Sequence, residues 1–191
     1  MGHLPTVLSW LLGVSGLAWV LVELRQAFHT RPEARTADRG SRPVIGVVAV
    51  AGGLLAVYVS RTLPELAVAD RTVAAWCALP LLWAGTALRL WSFRTLGHYF
   101  TFTVQTSPDQ QVVTTGPYRF VRHPAYTALL LAVAAVGLLI GNWLSLVVLV
   151  GAVTGALVYR ITVEERALER DIGPAYREYA ATHKRLVPYV W

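Results

Sequence analysis

Residues 124–159 read PAYTALLLAVAAVGLLIGNWLSLVVLVGAVTGALVY and contain no charged side chain. One apolar run extends from Pro124 to Ile140, a second extends from Leu144 to Tyr159, and the short segment Gly141-Asn142-Trp143 separates them. Runs of this length approach the ~20 residues that a helix needs to cross the hydrocarbon core of a bilayer. The stretch therefore predicts a membrane-embedded helical hairpin, whose short helices would cross incompletely or sit in a locally thinned bilayer.

Three further apolar runs precede this hairpin, at Leu4–Val22, Val44–Ser60 and Val73–Phe93. The chain is 55% hydrophobic and 15% charged, and its mean hydropathy is +0.49, whereas a soluble domain is about 45–50% apolar and about 25% charged. The one cysteine, Cys77, lies inside the third run, which excludes a disulfide framework and a cysteine-based zinc site. The sequence thus predicts an all-α, polytopic integral membrane protein with five transmembrane helices.

The basic residues alternate between the two sides of the predicted helices. Fourteen of the 17 Lys and Arg residues fall in three segments, within residues 25–42, 94–122 and 160–185. The remaining loops hold only Arg61 and Arg71. Because cytoplasmic loops carry the excess of Lys and Arg, we expect the N-terminus outside, the C-terminus in the cytoplasm, and a bacterial-type plasma membrane.

Two segments on the predicted cytoplasmic side hold polar residues that a simple anchor does not need. The first ends in GPYRFVRHPAY, residues 116–126, whose Gly-Pro and His-Pro steps force the backbone out of helix before the fourth apolar run. Backbone groups freed at membrane depth are tolerated where they line a cavity. The second segment is RITVEE, residues 160–165, in which Arg160 and Glu164 share one helical face. Taken singly, these residues also fit ordinary roles as a helix-end ion pair and as interfacial anchors.

The order and spacing of these two segments resemble the isoprenylcysteine carboxyl methyltransferase family, including its bacterial relatives grouped with phospholipid methyltransferases. The resemblance rests on the Arg-His-Pro-x-Tyr motif at residues 122–126 and on the Glu164-Glu165 pair, and it covers about Leu96 to Pro188. A later run also fits, namely Leu168, Gly173, Tyr176 and Tyr179. The resemblance implies a methyltransferase that depends on S-adenosylmethionine and binds it on the cytoplasmic side. Residues 71–191 would form the catalytic core, and residues 1–70 would form two peripheral helices and a basic loop.

The resemblance also implies roles for individual residues. Arg160 is implied to be catalytic and to bind the substrate. The loop after Gln105 is two residues shorter than in the family, and Ala125 stands where the family also has serine. The implied cofactor contacts are Gln105, Gln110, Gln111, Val112, Val113, Tyr118, His123, Pro124, Ala125, Tyr126 and Glu164.

The chemistry of these residue types agrees with the resemblance. S-adenosylmethionine carries a sulfonium, an ammonium, a carboxylate and an adenine, so its pocket needs an acidic group, hydrogen-bond donors and aromatic faces. A carboxylate acceptor is ionised at neutral pH, far above a pKa near ~4, and so needs no general base. Arg160 would orient such an acceptor by a bidentate pair. We therefore expect methyl transfer to a lipophilic acceptor, most simply the carboxylate of a prenylated cysteine or of a similar isoprenoid or lipid acid.

Two other functions fit a polytopic helical protein with a polar cytoplasmic site. A membrane NADPH-dependent sterol or steroid reductase would need more basic and Asn-rich residues for the phosphates of its dinucleotide. A non-enzymatic membrane scaffold would bind neither S-adenosylmethionine nor NADPH. A Rossmann-type methyltransferase is excluded because no GxGxxG follows a strand. No basic patch interleaved with aromatics indicates nucleic acid, and no histidine has a partner at metal-ligand spacing.

The remaining expectations concern helix packing and partners. Gly151 and Gly155 form a GxxxG pattern, and Ala152 and Ala156 repeat its spacing. We expect these small residues to pack helices within one monomeric chain rather than between two chains. Arg89 lies one turn from the cytoplasmic end of the third helix, and we expect it to snorkel to the interface, with an inward-facing role at the site as the alternative. The expected partners are membrane lipids and the lipophilic substrate.

Overall fold

The computed structural model of the protein describes residues 4–27, 35–36, 41–97, 105–106 and 112–191; of residues 26–27, 35–36, 41–43 and 105–106 it describes the backbone alone. The elements are α1 (Thr6–Ala27), β1 (Arg35–Thr36), α2 (Ser41–Thr62), α3 (Arg71–Leu96), β2 (Gln105–Thr106), α4 (Pro124–Ile140), α5 (Trp143–Ile172) and α6 (Pro174–Thr182). Short 3₁₀ turns at Pro64–Leu66 and Gly116–Arg119 precede α3 and α4. The described part is therefore helical apart from one two-residue strand pair.

Helices α3, α4 and α5 form the centre of the bundle, with α1 packed on α3 and α2 packed along α5. The two N-terminal helices are consecutive in sequence yet flank this centre on opposite sides. Leu8 of α1 is fully buried against Ala75 and Leu79 of α3, and Ala56 of α2 is fully buried against Leu149 of α5. The connections that follow α1 and α3 are joined where β1 pairs antiparallel with β2.

The helices run between the same two ends of the bundle. The end that holds Leu96, Pro124 and Ile172 is called the site end below, and the opposite one the far end. At the far end, Ser145 Oγ at the start of α5 donates a 2.6 Å hydrogen bond to the carbonyl of Ala56 in α2. Successive helices thus alternate in direction, which is the arrangement that five crossings require.

Four of the described helices are long and apolar enough to span a membrane, and they are α1, α2, α3 and α5. The shorter apolar helix α4 has 17 residues, which at 1.5 Å per residue is about 25 Å. Its bounds are those predicted from the sequence. The other hairpin helix is not short, because α5 continues from Trp143 through the charged segment to Ile172 over 30 residues. An integral, helical membrane protein is what this architecture supports.

Asn142 organises the turn between the two hairpin helices. Its side chain accepts a 3.0 Å hydrogen bond from the backbone N–H of Ser145 and so caps α5, and its Nδ2 donates to the carbonyl of Leu63 at 2.8 Å. Capping by Asn satisfies one of the free N–H groups at a helix start. The polar turn therefore ties the hairpin to the segment after α2.

The GxxxG pattern of α5 packs differently from the expectation. Gly151 and Gly155 lie on the outside, and among the described residues nothing comes within 4 Å of a Cβ built at either position. Ala152 instead lies 3.3 Å from a Cβ built on Gly52 of α2, and Ala156 is buried. Only the alanine half of the small-residue repeat packs helices within the chain, because the repeat spans two adjacent faces of α5.

Helices α3 and α4 approach most closely at Gly85, and this contact gives a stability prediction. A Cβ at Gly85 would lie 2.9 Å from the backbone oxygen of Ala128, so we expect Gly85→Ala to lower the free energy of unfolding by about 1–3 kcal/mol. The measurement is unfolding of the protein in detergent micelles. Gly53→Ala is the matched control, since no described atom lies within 4 Å of its Cβ. Equal destabilisation by both changes would contradict the close approach.

Candidate active site

The chain leads into α4 through a turn that requires glycine. Gly116 has φ +58°, and a Cβ there would lie 2.5 Å from Thr95 Oγ1 of α3. Tyr118 follows in the 3₁₀ turn, buried, and its carbonyl accepts a 2.6 Å hydrogen bond from the Tyr179 hydroxyl of α6. Burial raises the pKa of Tyr179 to about 12, so the hydroxyl remains a donor at neutral pH. The Gly-Pro turn is thus fixed between α3 and α6.

The backbone N–H groups freed before α4 are satisfied by the C-terminal segment. The N–H of Arg122 donates to the carbonyl of Lys184 at 2.8 Å, and the N–H of His123 donates to that of Arg185 at 2.9 Å. One turn into α4, Thr127 Oγ1 donates to the carbonyl of Leu186 at 2.7 Å. Buried N–H groups need such partners. Residues 184–186 therefore complete the start of α4, which the sequence motif alone does not indicate.

Glu165 of α5 joins both of these segments. Its carboxylate is 3.2 Å from Arg122 Nη1, 3.2 Å from His123 Nε2 and 2.9 Å from Arg185 Nη2. Since a carboxylate only accepts, Nε2 of the imidazole carries the proton in this contact. The hydrogen bond to Glu165 raises the pKa of the Arg185 guanidinium. We call these four residues the Glu165 cluster; it fixes the His-Pro step relative to α5.

Tyr126 connects the two charged residues that the sequence places on one face of α5. Its hydroxyl donates to Glu164 Oε2 at 2.6 Å and accepts from Arg160 Nε at 3.0 Å. Arg160 is buried, with 4% of its surface exposed. The Tyr126 ring stacks on the His123 ring with centroids 5.5 Å apart. Arg160, Tyr126 and Glu164 therefore form one hydrogen-bonded chain beside the Glu165 cluster.

A pocket opens at the site end next to these networks. It encloses about 430 Å³, including the open solvent at its mouth. Its lining comprises Leu96, Val112, Val113, Tyr118, Arg122, His123, Leu168, Ile172, Tyr176 and Tyr179. The wall is thus largely apolar and aromatic, with a few polar groups, as in sites for organic ligands.

Two buried polar atoms belong to residues of this wall. Among the described residues, Arg122 Nε and the Tyr176 hydroxyl have no hydrogen-bond partner. A buried polar group without a partner costs about 1–3 kcal/mol, so such atoms are typical of a site that binds a polar ligand. Burial, with a smaller contribution from the nearby Glu164 carboxylate, raises the pKa of Tyr118. Burial raises the pKa of Tyr176 as well, so both phenols remain protonated at neutral pH.

The predicted site residues fall into three groups in the structure. Four line the pocket, namely Val112, Val113, Tyr118 and His123. Pro124 and Ala125 are buried in the first turn of α4, and Tyr126, Glu164 and Arg160 form the chain of hydrogen bonds. Gln105 lies in β2, where the backbone alone is described, and Gln110 and Gln111 lie outside the described residues. The structure brings the described candidates together at one end of the bundle.

Several residues of the site were not singled out as site residues from the sequence. Arg122 fitted an interfacial anchor, yet it lines the pocket and pairs with Glu165. Tyr176 and Tyr179 entered only through the resemblance, and both line the pocket from α6. The motifs held the signal for Arg122 and Glu165, since each adjoins an assigned residue. Nothing local in the sequence indicates that the C-terminal segment returns to α4.

The side chain of Arg89 is buried among the helices, and the expectation that it snorkels is wrong. Only 4% of its surface is exposed. Its guanidinium forms a bidentate pair with Glu23 of α1 at 2.7 and 3.0 Å and donates from Nη1 to the carbonyl of Ala125 at 2.6 Å. The inward-facing alternative is the one that the structure supports, because an acidic partner on α1 compensates the buried charge.

Comparisons with known proteins cover part of the segment that carries this geometry. The profile of the isoprenylcysteine carboxyl methyltransferase (ICMT) family matches residues 78–170. The chain is 29% identical to protein-S-isoprenylcysteine O-methyltransferase B of Arabidopsis thaliana over 114 residues, 59% of this chain and 58% of the relative. It is 34% identical to protein-S-isoprenylcysteine O-methyltransferase of Saccharomyces cerevisiae over 105 residues, 54% of this chain and 43% of the relative. The chain thus spans about half the length of these relatives.

Proposed function

We propose, from the premise that residues 78–170 of this chain belong to the isoprenylcysteine carboxyl methyltransferase family, that it is a membrane-integral methyltransferase using S-adenosylmethionine. The observation that carries the proposal is the pocket at the site end, whose wall includes His123 of the Arg-His-Pro-x-Tyr motif. The chain formed by Arg160, Tyr126 and Glu164 lies beside it, since Tyr126 stacks on His123. The family, the pocket and the polar groups beside it thus all support methyl transfer from S-adenosylmethionine.

The residues of the pocket fit S-adenosylmethionine in charge and in hydrogen-bonding type. Arg122 Nε and the Tyr176 hydroxyl offer buried donors for a carboxylate. Glu164, which accepts from Tyr126 beside the pocket, offers an acceptor for an ammonium. The rings of Tyr118 and His123 in the pocket wall offer faces for a sulfonium or an adenine. When bound, the cofactor supplies a methyl group on a positively charged sulfur. The chain itself orients the two reactants and excludes water.

The acceptor that best suits the site is the carboxylate of a prenylated cysteine or a similar lipid acid. Arg160 has a planar guanidinium, and its Nε donates to the Tyr126 hydroxyl at 3.0 Å. A guanidinium recognises a carboxylate in a bidentate manner, whereas a thiol or an amine acceptor would not need it. Because the carboxylate is ionised at neutral pH, no side chain has to remove a proton. Orientation and exclusion of water then account for the rate.

We further infer that the site end faces the cytoplasm. Arg94, Arg122 and Arg160 lie at or near this end, with the basic C-terminal segment, whereas the far end has Arg61 and Arg71. Positive charge favours the cytoplasmic side. A reporter protein that is active only in the cytoplasm, fused after Trp191, should be active in intact cells. A reporter that is folded but inactive would show that the site end faces away from the cytoplasm, the opposite of the proposed orientation.

The test of the proposed function is binding followed by transfer. We expect detergent-purified protein to bind S-adenosylmethionine, and not NADPH, in isothermal titration calorimetry. With labelled cofactor in lipid vesicles, the label should appear as a methyl ester of an N-acetylated S-prenylcysteine. Binding of NADPH alone would indicate a reductase, and binding of neither would indicate a scaffold; both outcomes contradict the proposal.

A matched analogue of the acceptor distinguishes recognition of the carboxylate from recognition of the lipid. The carboxamide of the same prenylcysteine keeps the isoprenoid and the thioether but has no anionic oxygen. We expect no methyl transfer to the carboxamide. We also expect it to inhibit only at concentrations above those at which the acid binds, because Arg160 would lose its bidentate partner. Labelling of phospholipid amines instead of the acid would overturn the assignment of the acceptor.

A further inference from the structure

An ion pair joins the buried Arg89 of α3 to the partly exposed Glu23 of α1. Arg89 has 4% of its surface exposed, and its guanidinium lies 5.9 Å from the Trp19 ring and 4.8 Å from the Phe93 ring. Both oxygens of Glu23 accept from it, at 2.7 and 3.0 Å. A charged side chain in an apolar helix is costly and is typical of a functional position. The pair therefore calls for a role beyond packing.

The third contact of Arg89 identifies that role. Nη1 donates to the carbonyl of Ala125 at 2.6 Å, in the first turn of α4. Ala125 directly precedes Tyr126, whose hydroxyl has to lie within hydrogen-bond distance of both Glu164 and Arg160. A buried ion pair is weak evidence for stability, since apolar residues of similar volume often serve as well. A pair that also holds a backbone carbonyl beside the site has a positioning function instead.

Glu23 lies in α1, outside the residues that match the family, whereas Arg89 and Ala125 lie inside residues 78–170. Glu23 orients the guanidinium by engaging Nε and Nη2, which leaves Nη1 directed at Ala125. We propose that Glu23 and Arg89 are positioning residues of the methyltransferase, and that α1 is a working part of its active site rather than a peripheral anchor. This inference rests on the proposed function.

The first test compares cofactor affinity with stability in the full-length protein. Lysine at position 89 keeps the charge but cannot form the fork and the third contact together. We expect R89K to raise the Kd for S-adenosylmethionine about tenfold, the equivalent of one charged hydrogen bond. E23Q should raise it less. In the double variant the effects should not add, because both changes act through the same guanidinium.

The control removes a different contact between α1 and α3. Trp83 Nε1 donates to Ser15 Oγ at 2.7 Å, a hydrogen bond between the same two helices that involves neither Arg89 nor Ala125. We expect S15A to lower the unfolding temperature while leaving the Kd within about twofold, since its lost hydrogen bond is worth only about 1 kcal/mol of stability. If S15A and R89K weaken cofactor binding equally, α1 acts through stability alone and the inference is overturned.

A charge reversal separates pairing from positioning. In E23R/R89E the two helices regain an ion pair, but residue 89 has no donor for the Ala125 carbonyl. We expect cofactor affinity to stay as low as in R89K, and its full recovery would overturn the inference. If this variant does not fold, the comparison of R89K with S15A decides whether the pair acts by positioning or by stability. Failure of the wild-type chain to bind S-adenosylmethionine contradicts the proposed function, whereas unchanged binding by R89K contradicts this inference only.

Discussion

We expect Arg160→Ala to lower methyl transfer at least about 100-fold, while the Kd for S-adenosylmethionine changes no more than a few-fold. The expected loss is that of an acceptor no longer held in line with the methyl group. Cofactor affinity should persist because Tyr126 keeps its 2.6 Å hydrogen bond to Glu164 when Arg160 is removed. Titration calorimetry gives the Kd, and transfer of labelled methyl to the prenylcysteine acid gives the rate.

Glu164→Ala should show the opposite pattern, with weaker cofactor binding as its main effect. The carboxylate lies on the cofactor side in the proposed site, and its loss also removes the acceptor of the Tyr126 hydroxyl. Arg166→Ala is the matched control for Arg160→Ala, since it removes an equal charge from an exposed position of α5. The division of roles is wrong if Arg160→Ala loses cofactor affinity as severely as Glu164→Ala.

Tyr126→Phe tests the hydrogen-bonded link between Arg160 and Glu164. It keeps the ring that stacks on His123 at 5.5 Å but removes the hydroxyl that both charged residues contact. Because this hydroxyl is the shared member of the chain, the change should lower both cofactor affinity and turnover, each by less than the corresponding charged-residue variant. An effect on one quantity alone would assign Tyr126 to one reactant.

Glu165→Gln is expected to destabilise the protein more than any other single change in the site, by about 3 kcal/mol. Glutamine has a similar volume, but it leaves two arginines near one another without a carboxylate. The side chains of Arg122 and His123 are 12% and 5% exposed, so solvent compensates them poorly. The side chain of Arg185 is 35% exposed, and its share of the loss is small. The measurement is the unfolding temperature in detergent micelles.

Glu169→Gln provides the control for this change. Glu169 lies one turn further along α5 and is exposed, so its substitution should alter the free energy of unfolding by less than about 0.5 kcal/mol. The Glu165 variant should also bind the cofactor more weakly, because the imidazole loses the partner that orients it. A Glu165→Gln protein as stable as the Glu169→Gln protein would show that the Glu165 cluster does not hold the site end together.

The positions of the helices could be predicted closely from the sequence. Helix α4 begins at Pro124 and ends at Ile140, the bounds of the apolar run, because Pro fits the first position of a helix and the following turn is polar. The apolar run that predicts α5 ends at Tyr159, whereas the helix itself continues to Ile172. Hydropathy predicts only the part of the helix that is apolar enough to cross a membrane. Beyond it, α5 continues as an amphipathic helix whose inner face packs at the pocket.

The contacts of the site could be predicted only in part, for a physical reason. Arg160 and Glu164 are four residues apart, so helix geometry alone places them together. The partners of Glu165 and of Arg89 come from distant parts of the chain, Arg185 in one case and Glu23 in the other. No local pattern indicates which basic residue a buried carboxylate meets. The charge of Arg89 therefore predicts a position at the interface, whereas in the structure Glu23 on a neighbouring helix compensates it.

The return of the C-terminal segment to α4 has a consequence for synthesis. The N–H groups of Arg122 and His123 depend on the carbonyls of Lys184 and Arg185, about sixty residues later, a long-range contact of the kind that forms slowly. A ribosome makes the hairpin well before these carbonyls exist, so the newly inserted chain has helices but an unfinished His-Pro step. We therefore expect the site end to mature last, after insertion of the helices has been completed.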